Sequence, residues 1–295
     1  MSTDTFRCGA VALIGRPNVG KSTLLNALIG HKLSITSRKP QTTRHSLRGV
    51  LTTETAQFVI VDTPGFQTRH RGALNRVMNR VVQGTLEAVD IAALVVEAGR
   101  FGAQDRALLK MTPKGLPLVL IVSKIDLTEP AALLPFLQKT SQAAQFAEVV
   151  PVSARRRKGL EELLRTIERH LPEQPAIHPE HDLTDRSERF LAAELIREKL
   201  FRLLGEEIPY GAGVEIEKFE EQGALRRIHA CIVVGKEGHK AIVIGSGGAT
   251  LKKIATAARL DMEKLFGGKV YLETWVKLRG GWTDDEAAVR RMGYG

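Results

Sequence analysis

The sequence predicts two domains: an α/β domain on a mixed, mainly parallel β-sheet, followed by a smaller α+β domain. Up to about residue 170, short apolar runs such as "LPLVLIV" at 116–122 alternate with helix-like stretches, as expected for buried parallel strands. Two strand-like runs within 46–62 predict an antiparallel hairpin that makes the sheet mixed. Residues 171–185, "LPEQPAIHPEHDLTD", contain three prolines, which neither a helix nor a central strand tolerates.

This proline-rich stretch divides the chain. We predict a nucleotide-binding α/β domain at 1–172, a linker at 173–186 and an α+β domain at 187–295. The pattern of the second domain predicts, in order, an amphipathic helix around 187–204, strands near 213–219 and 225–235, a helix at about 248–265 and a strand at 269–278. The β-branched run "AIVIG" at 241–245 is interpreted as a strand that leads into a loop.

Composition favours a cytoplasmic protein. With 295 residues and 43% hydrophobic content the chain can bury two cores. The first residues lack the pattern of a signal peptide, and the longest apolar runs are too short to span a bilayer. Cys8 and Cys231 lie in different halves without metal-ligand spacing, which fits free thiols in a reducing compartment.

The net charge indicates an acidic partner. A formal charge of +10 favours nucleic acid or an anionic membrane surface. "RHR" at 69–71 and "RRRK" at 155–158 could face such a partner, or could be solvated faces.

The strongest motif is "GRPNVGKST" at 15–23. It matches G-x-x-x-x-G-K-[ST] between an apolar strand and a helix-like stretch, which is the context of a phosphate-binding loop. Gly15 and Gly20 let the backbone wrap a triphosphate, Lys21 reaches the β- and γ-phosphates, and the Ser22 hydroxyl binds Mg²⁺. A glycine-rich turn without a ligand is the alternative.

Three later motifs complete the predicted site, and the last two of them favour guanine over adenine. "DTPG" at 62–65 ends a strand, so Asp62 can hold Mg²⁺ through water and the Gly65 N–H can meet the γ-phosphate. "SKID" at 123–126 supplies a carboxylate, Asp126, that can accept two hydrogen bonds from guanine, whereas adenine offers no such pair. In "VSA" at 152–154, the Ala154 N–H can bind the guanine oxygen.

The second domain contains another glycine loop, "GSGG" at 245–248. A dinucleotide fingerprint is disfavoured, because Thr250 stands at the third glycine position and no acid follows at the required distance. A G-x-x-G loop before a helix instead lets a nucleic-acid backbone approach closely. Residues 240–280 hold eight Lys or Arg against three acids, and Lys252 and Lys253 would supply charge one turn after the loop. A purely structural turn remains the alternative.

Five motifs follow one another along the chain: "GRPNVGKS", "QTTRH" (41–45), "DTPG", "SKID" and "VSA". Their order, together with the stretch "SITSRKPQTTRH" and the basic second domain, resembles the Era family of bacterial GTPases over nearly the whole chain. The resemblance implies a P-loop GTPase domain, a KH-type RNA-binding domain, GTP/GDP and Mg²⁺ as ligands, and a monomer. It also implies binding to the 3′ end of small-subunit ribosomal RNA and assistance in assembly of the small ribosomal subunit. One departure is clear: the family has N-K-x-D, and Ser123 stands where the asparagine, which bonds N7 of the base, is expected.

The same resemblance bears on catalysis. Thr43 matches the switch threonine and is the expected second Mg²⁺ ligand, with Thr42 in reserve. Phe66 occupies the position where related GTPases carry a water-orienting glutamine. Catalysis is therefore expected to be electrostatic and slow, at about 10⁻⁴–10⁻² s⁻¹, through Lys21, Mg²⁺ and backbone N–H groups. K⁺ could bind near Asn18, or Asn18 could only shape the loop.

Two function classes follow: a GTP-regulated RNA-binding assembly factor, and a GTP-dependent membrane or cell-cycle regulator whose basic face contacts the inner membrane. The glycine loop favours the first, because lipid binding needs only charge and an apolar anchor. The predicted GTP-site residues are Gly15, Arg16, Pro17, Asn18, Val19, Gly20, Lys21, Ser22, Thr23, Asp62, Thr63, Pro64, Gly65, Phe66, Ser123, Lys124, Ile125, Asp126, Ser153 and Ala154. The predicted RNA-binding residues are Gly245, Ser246, Gly247, Gly248, Lys252 and Lys253.

Overall fold

The computed structural model describes residues 5–67, 72–205 and 207–291. These residues form two units. The first comprises 5–34, 43–67 and 78–185, and the second comprises 35–42, 72–77, 186–205 and 207–291. The basic cluster at 69–71 lies outside the described residues.

The first unit is built on a six-stranded sheet of order β2-β3-β1-β4-β5-β6. Only β2 runs antiparallel to its neighbour, because the Thr52-to-Ala56 connection is a hairpin, while the other described pairs are parallel. The strands are β1 (Arg7–Ile14), β2 (Leu47–Thr52), β3 (Ala56–Asp62), β4 (Ile91–Glu97), β5 (Leu118–Ser123) and β6 (Glu148–Pro151). The helices are α1 (Lys21–Ile29), α2 (Ala73–Leu86), whose first turn falls in the second unit, α3 (Ala103–Met111), α4 (Pro130–Ser141) and α5 (Leu160–Glu168).

The apolar runs of the sequence form the core of this sheet. β3, β4 and β5 are almost continuously buried, as the two-sided covering of a parallel sheet requires. Side chains such as Ile14, Leu94 and Leu120 share one buried cluster. The parallel strands therefore end along one edge, where the loops that follow β1, β3 and β5 can meet.

The proline-rich segment contains no helix or strand, but it packs on the first unit. The buried Gln57 side chain donates to the His178 carbonyl at 2.8 Å and accepts the N–H groups of Ile177 and His178 at 2.9 Å. The Val50 N–H donates to the Leu183 carbonyl at 2.9 Å. The main-chain groups that cannot join a helix or sheet thus find partners on β2 and β3.

The second unit places helices on a three-stranded sheet of order β7-β8-β9. β7 and β8 are antiparallel, and β8 and β9 are parallel. Its elements are α6 (Glu188–Leu203), β7 (Ala212–Gln222), β8 (Leu225–Val234), α7 (Glu237–Ile244), α8 (Ala249–Phe266), β9 (Lys269–Leu278) and α9 (Glu286–Arg291). Ser187 begins α6 by accepting the Phe190 N–H at 3.3 Å, and Gly267 ends α8 in the left-handed conformation. Within this unit, residues 35–42 also contact α6, where the Thr36 N–H donates to Glu198 at 3.0 Å.

One predicted element is wrong. The run "AIVIG" at 241–245 predicts a strand, but residues 237–244 form helix α7, and the Gly245 N–H closes it by donating to the Ala241 carbonyl at 2.8 Å. The apolar run is only half of this helix, and burial of Val243 against the unit overrides the β-propensity of its neighbours. The 245–248 loop therefore lies between two helices. None of the helices in the described ranges is long and apolar enough to cross a membrane.

Candidate functional site: a nucleotide pocket and a second glycine loop

The loop from Gly15 to Gly20 connects the end of β1 with α1. A Cβ atom on Gly15 would lie 2.5 Å from the Val95 carbonyl oxygen, so no side chain fits there. Gly20 adopts φ 107°, which favours glycine. Helix α1 begins at Lys21 without a side-chain cap and without an acid in its first turn. Its first N–H groups and the positive end of its dipole can therefore bind an anion.

Lys21 points back into this loop. Its Nζ donates to the carbonyls of Gly15 and Arg16 at 3.0 and 3.1 Å, and the residue is only 5% exposed. Burial lowers the pKa of Lys21 to about 8, although Asp62 opposes the shift. A bound phosphate would stabilise the ammonium form that burial disfavours.

Ser22, Thr43 and Asp62 converge beside Lys21. The Ser22 hydroxyl donates to one Asp62 carboxylate oxygen at 2.6 Å and lies 2.8 Å from the Thr43 hydroxyl oxygen. The other oxygen, Asp62 Oδ1, is buried and has no hydrogen-bond partner among the described residues. Burial raises the pKa of Asp62, against the opposing effects of Lys21 and two hydroxyl donors. Two hydroxyls and one orphaned carboxylate oxygen fit Mg²⁺, which takes few protein ligands and completes its shell with phosphate and water.

Thr42, the reserve candidate for the switch threonine, is engaged elsewhere. Its hydroxyl donates to the Lys39 carbonyl at 2.7 Å and lies 2.6 Å from the Ser37 hydroxyl. Of the two threonines, the structure thus places Thr43 beside Ser22.

Ser34 was not predicted as a site residue. Its buried hydroxyl donates to the same Asp62 oxygen as Ser22, at 2.7 Å. Asn26 holds this segment, since its side-chain oxygen accepts the N–H groups of Leu33 and Ser34 at 2.9 Å. No local motif marks Ser34, because the contact depends on how the chain returns from α1.

The turn after β3 packs tightly on the phosphate loop. A Cβ atom on Gly65 would lie 2.6 Å from Pro17 Cα, so only glycine allows this approach. The Phe66 N–H donates to the Gly15 carbonyl at 3.1 Å, and the Phe66 ring joins the buried core cluster. Phe66 therefore offers no polar group toward the pocket.

The base loops, which we define as residues 123–126 and 152–154, lie at the ends of β5 and β6. The Ser153 hydroxyl donates to Asp126 at 2.5 Å, and Lys124 pairs with Glu97 at 3.0 Å. The Ser123 hydroxyl donates to the carbonyls of Val19 and Val96 at 2.6 and 2.9 Å. The predicted base-binding residues thus come together and are tied to the phosphate loop. The basic run 155–158 follows them and is exposed.

The glycine loop at 245–248 precedes a second helix N-terminus that has no side-chain cap. Gly247 and Gly248 adopt φ 55° and 80°, and a Cβ atom on either would meet nothing within 4 Å. Helix α8 follows with no side-chain cap and no acid in its first turn, and Lys252 and Lys253 are exposed there. This backbone is therefore accessible to a phosphate chain.

Family models match both parts of the chain. Residues 10–124 match a model described as a 50S ribosome-binding GTPase, and residues 207–283 match a KH domain. The GTPase Era of Nitrosomonas eutropha is 55% identical over 295 residues, with 100% of both chains covered. That of Stenotrophomonas maltophilia is 57% identical over 297 residues, also with 100% of both covered.

Solved structures of Era share the fold. A crystal structure of Era in complex with MgGDPNP and nucleotides 1506-1542 of 16S ribosomal RNA matches with TM-score 0.94 and 36% identity, covering 98% of this chain and 99% of that one. A variant from Aquifex aeolicus bound to GDP and AlF4⁻ matches with TM-score 0.94 and 35% identity, covering 98% and 100%.

These matches confirm the predicted resemblance and the fold class, a P-loop GTPase domain followed by a KH domain. They also confirm the predicted enzyme class, a GTPase that converts GTP and water to GDP and phosphate. The chain therefore belongs to the Era family of GTPases.

Proposed function

We propose that this protein is a GTP-dependent switch that binds the 3′ end of small-subunit ribosomal RNA in the cytoplasm and assists assembly of the small ribosomal subunit. One observation carries the proposal: a structural relative that matches 98% of the chain was crystallised with both MgGDPNP and 16S ribosomal RNA. This chain has two glycine loops before uncapped helix N-termini, one in each unit. The first suits a triphosphate and the second suits a polymer backbone.

In the proposed nucleotide site, Lys21 and the N–H groups of Gly20 to Ser22 neutralise the phosphates. Ser22, Thr43 and, through water, Asp62 would hold Mg²⁺, which would supply further neutralisation of the phosphate charge. The Gly65 N–H faces the γ-phosphate, while Asp126 and the Ala154 N–H read the guanine edge. Because Phe66 is buried and apolar, hydrolysis rests on electrostatic stabilisation and is slow without a partner.

The experiment that tests the proposal measures RNA affinity by fluorescence anisotropy in the presence of Mg²⁺ and GDPNP or GDP. The probe is an RNA with the sequence of the 3′-terminal segment of small-subunit ribosomal RNA, and an unrelated single strand of equal length is the control. We expect preferential binding of the ribosomal probe, with an affinity that falls with salt at a log–log slope of about −0.7 per phosphate contacted. Equal affinity for both strands under both nucleotides would contradict the proposal.

We also propose that K⁺ binds beside Asn18 and accelerates hydrolysis. Asn18 is exposed at the tip of the phosphate loop with φ 64°, a conformation that asparagine and glycine both tolerate. Asn18→Gly therefore preserves the backbone and removes only the amide. We expect K⁺ to raise the GTPase rate above that in Na⁺ at equal ionic strength, and Asn18→Gly to remove the difference. A wild-type rate that is the same in both salts would leave Asn18 with a loop-shaping role alone.

A further inference from the structure

The hydroxyl of Ser123 donates its proton to main-chain carbonyls of the protein. It donates to the carbonyl of Val19 at 2.6 Å and to that of Val96 at 2.9 Å, and the residue is 5% exposed. A serine hydroxyl carries one proton, so the two carbonyls share it. Turning it toward a ligand would leave both buried carbonyls without their donor, which is costly.

The other side-chain donors of the base loops are also directed to protein groups. Ser153 gives its hydroxyl proton to Asp126 at 2.5 Å. The Lys124 ammonium lies 3.0 Å from Glu97 and pairs with it. Asp126 itself, when ionised, only accepts hydrogen bonds.

Guanine presents more groups than these loops can satisfy. Its N1–H and exocyclic amine are donors that suit Asp126, while O6 and N7 are acceptors. The Ala154 N–H can serve O6. For N7, the single protons of the Ser123 and Ser153 hydroxyls are already directed to protein groups, and the Lys124 ammonium is held on Glu97.

We propose that this chain binds guanine without a side-chain hydrogen bond to N7, and that Ser123 is instead a positioning residue that ties the base loops to the phosphate loop. This inference rests on the proposed guanine site. The tie is direct, because Val19 immediately precedes Gly20 and Lys21, and Val96 lies near the end of β4. Specificity for guanine then comes from Asp126 and Ala154 alone.

The decisive measurement uses the wild-type protein. Affinities for GDP, 7-deaza-GDP and inosine diphosphate are measured by competition against a fluorescent GDP analogue. 7-Deaza-GDP replaces N7 with a C–H group and keeps the edge that Asp126 reads, whereas inosine lacks the exocyclic amine. We expect 7-deaza-GDP to bind within about threefold of GDP, and inosine diphosphate to bind at least about tenfold more weakly.

The possible failures are distinguishable. If GDP does not bind, the proposed nucleotide site is wrong. If GDP binds and 7-deaza-GDP binds more than about threefold more weakly, N7 is read and the inference is overturned while the proposed function stands.

Two variants test the role of Ser123. Ser123→Ala removes the tie but no contact to the base, so we expect about tenfold weaker binding of GDP and 7-deaza-GDP alike. Ser123→Asn introduces an amide donor, and we expect GDP to become preferred over 7-deaza-GDP by at least about fivefold. Unchanged affinity in Ser123→Ala would overturn the positioning role, and equal binding of both nucleotides by Ser123→Asn would overturn the assignment of position 123 as the determinant at N7.

Discussion

Lys21→Met is expected to lower the affinity of the protein for GDP and GTP by between about thirtyfold and about four thousandfold. The Lys21 ammonium is buried and now donates to the carbonyls of Gly15 and Arg16. Asp62 attracts this ammonium, and a phosphate in the loop would add a second strong counter-charge. Removing one partner of a buried, hydrogen-bonded charge pair costs about 2–5 kcal/mol, and each 1.4 kcal/mol is about tenfold in affinity.

The same variant should leave the nucleotide-free protein about as stable as the wild type at pH 7, because relief of the burial penalty on the ammonium offsets the loss of its attraction to Asp62 and of its hydrogen bonds to two carbonyls. Burial lowers the pKa of Lys21 to about 8 from 10.5, so the folded state disfavours the ammonium form that the unfolded state carries. Methionine keeps the length of the side chain and removes this penalty. The loss of nucleotide binding is therefore separable from misfolding.

Thermal unfolding with and without nucleotide measures both effects. Wild-type protein should gain about 2.7 kcal/mol of stability at a GDP concentration of one hundred times its Kd, and Lys21→Met should gain at most about 0.9 kcal/mol at the same concentration. Lys114→Met makes the same chemical change at an exposed position and should keep the full gain. A Lys21→Met protein that is still stabilised by GDP to the wild-type extent would show that the phosphates bind elsewhere.

The residues of the candidate nucleotide site were predictable where they stand next to one another in the sequence. The "GRPNVGKST" stretch carries its own glycines, lysine and hydroxyl, and the apolar run before it fixes the strand that ends there. The positions of Asp62 and Asp126 followed from strand ends, because parallel strands of one sheet deliver their loops to a common edge. These inferences needed only local periodicity and one rule of topology.

Contacts between residues that are distant in the sequence and joined by irregular loops were not predictable. Ser34 reaches Asp62 because Asn26 holds the intervening loop, and nothing in the local sequence specifies that hold. Residues 35–42 belong to the second unit by their contacts, although α1, which ends at Ile29, and the loop up to Ser34 belong to the first. Helix α7 was not predicted because its local sequence is misleading. Its β-branched residues favour a strand, whereas burial of Val243 in the tertiary structure stabilises a helix.

A second prediction with a large expected effect is a loss of RNA affinity on substitution in the loop at 245–248. Replacing Ser246 and Gly247 together with aspartate is expected to weaken binding of the ribosomal RNA probe by about two orders of magnitude, because like charges brought together at an interface cost several kcal/mol. Ser246 is exposed, and Gly247 has φ 55° with open space where a side chain would stand. Aspartate tolerates this backbone conformation. Gly245 is a poorer target, since a Cβ atom there would lie 2.8 Å from Thr250 Cβ and would disturb the loop itself.

Folding of the double variant should be preserved, because acids just before a helix interact favourably with its dipole, and α8 carries none in its first turn. Ser246→Asn with Gly247→Asn is the matched control: it adds nearly the same volume without charge and should retain most of the RNA affinity. The basal GTPase rate of both variants should equal that of the wild type, because neither position lies in the nucleotide pocket. If the aspartate variant binds the probe as tightly as the asparagine variant, the loop does not contact the phosphate backbone, and the RNA surface must be sought elsewhere on the protein.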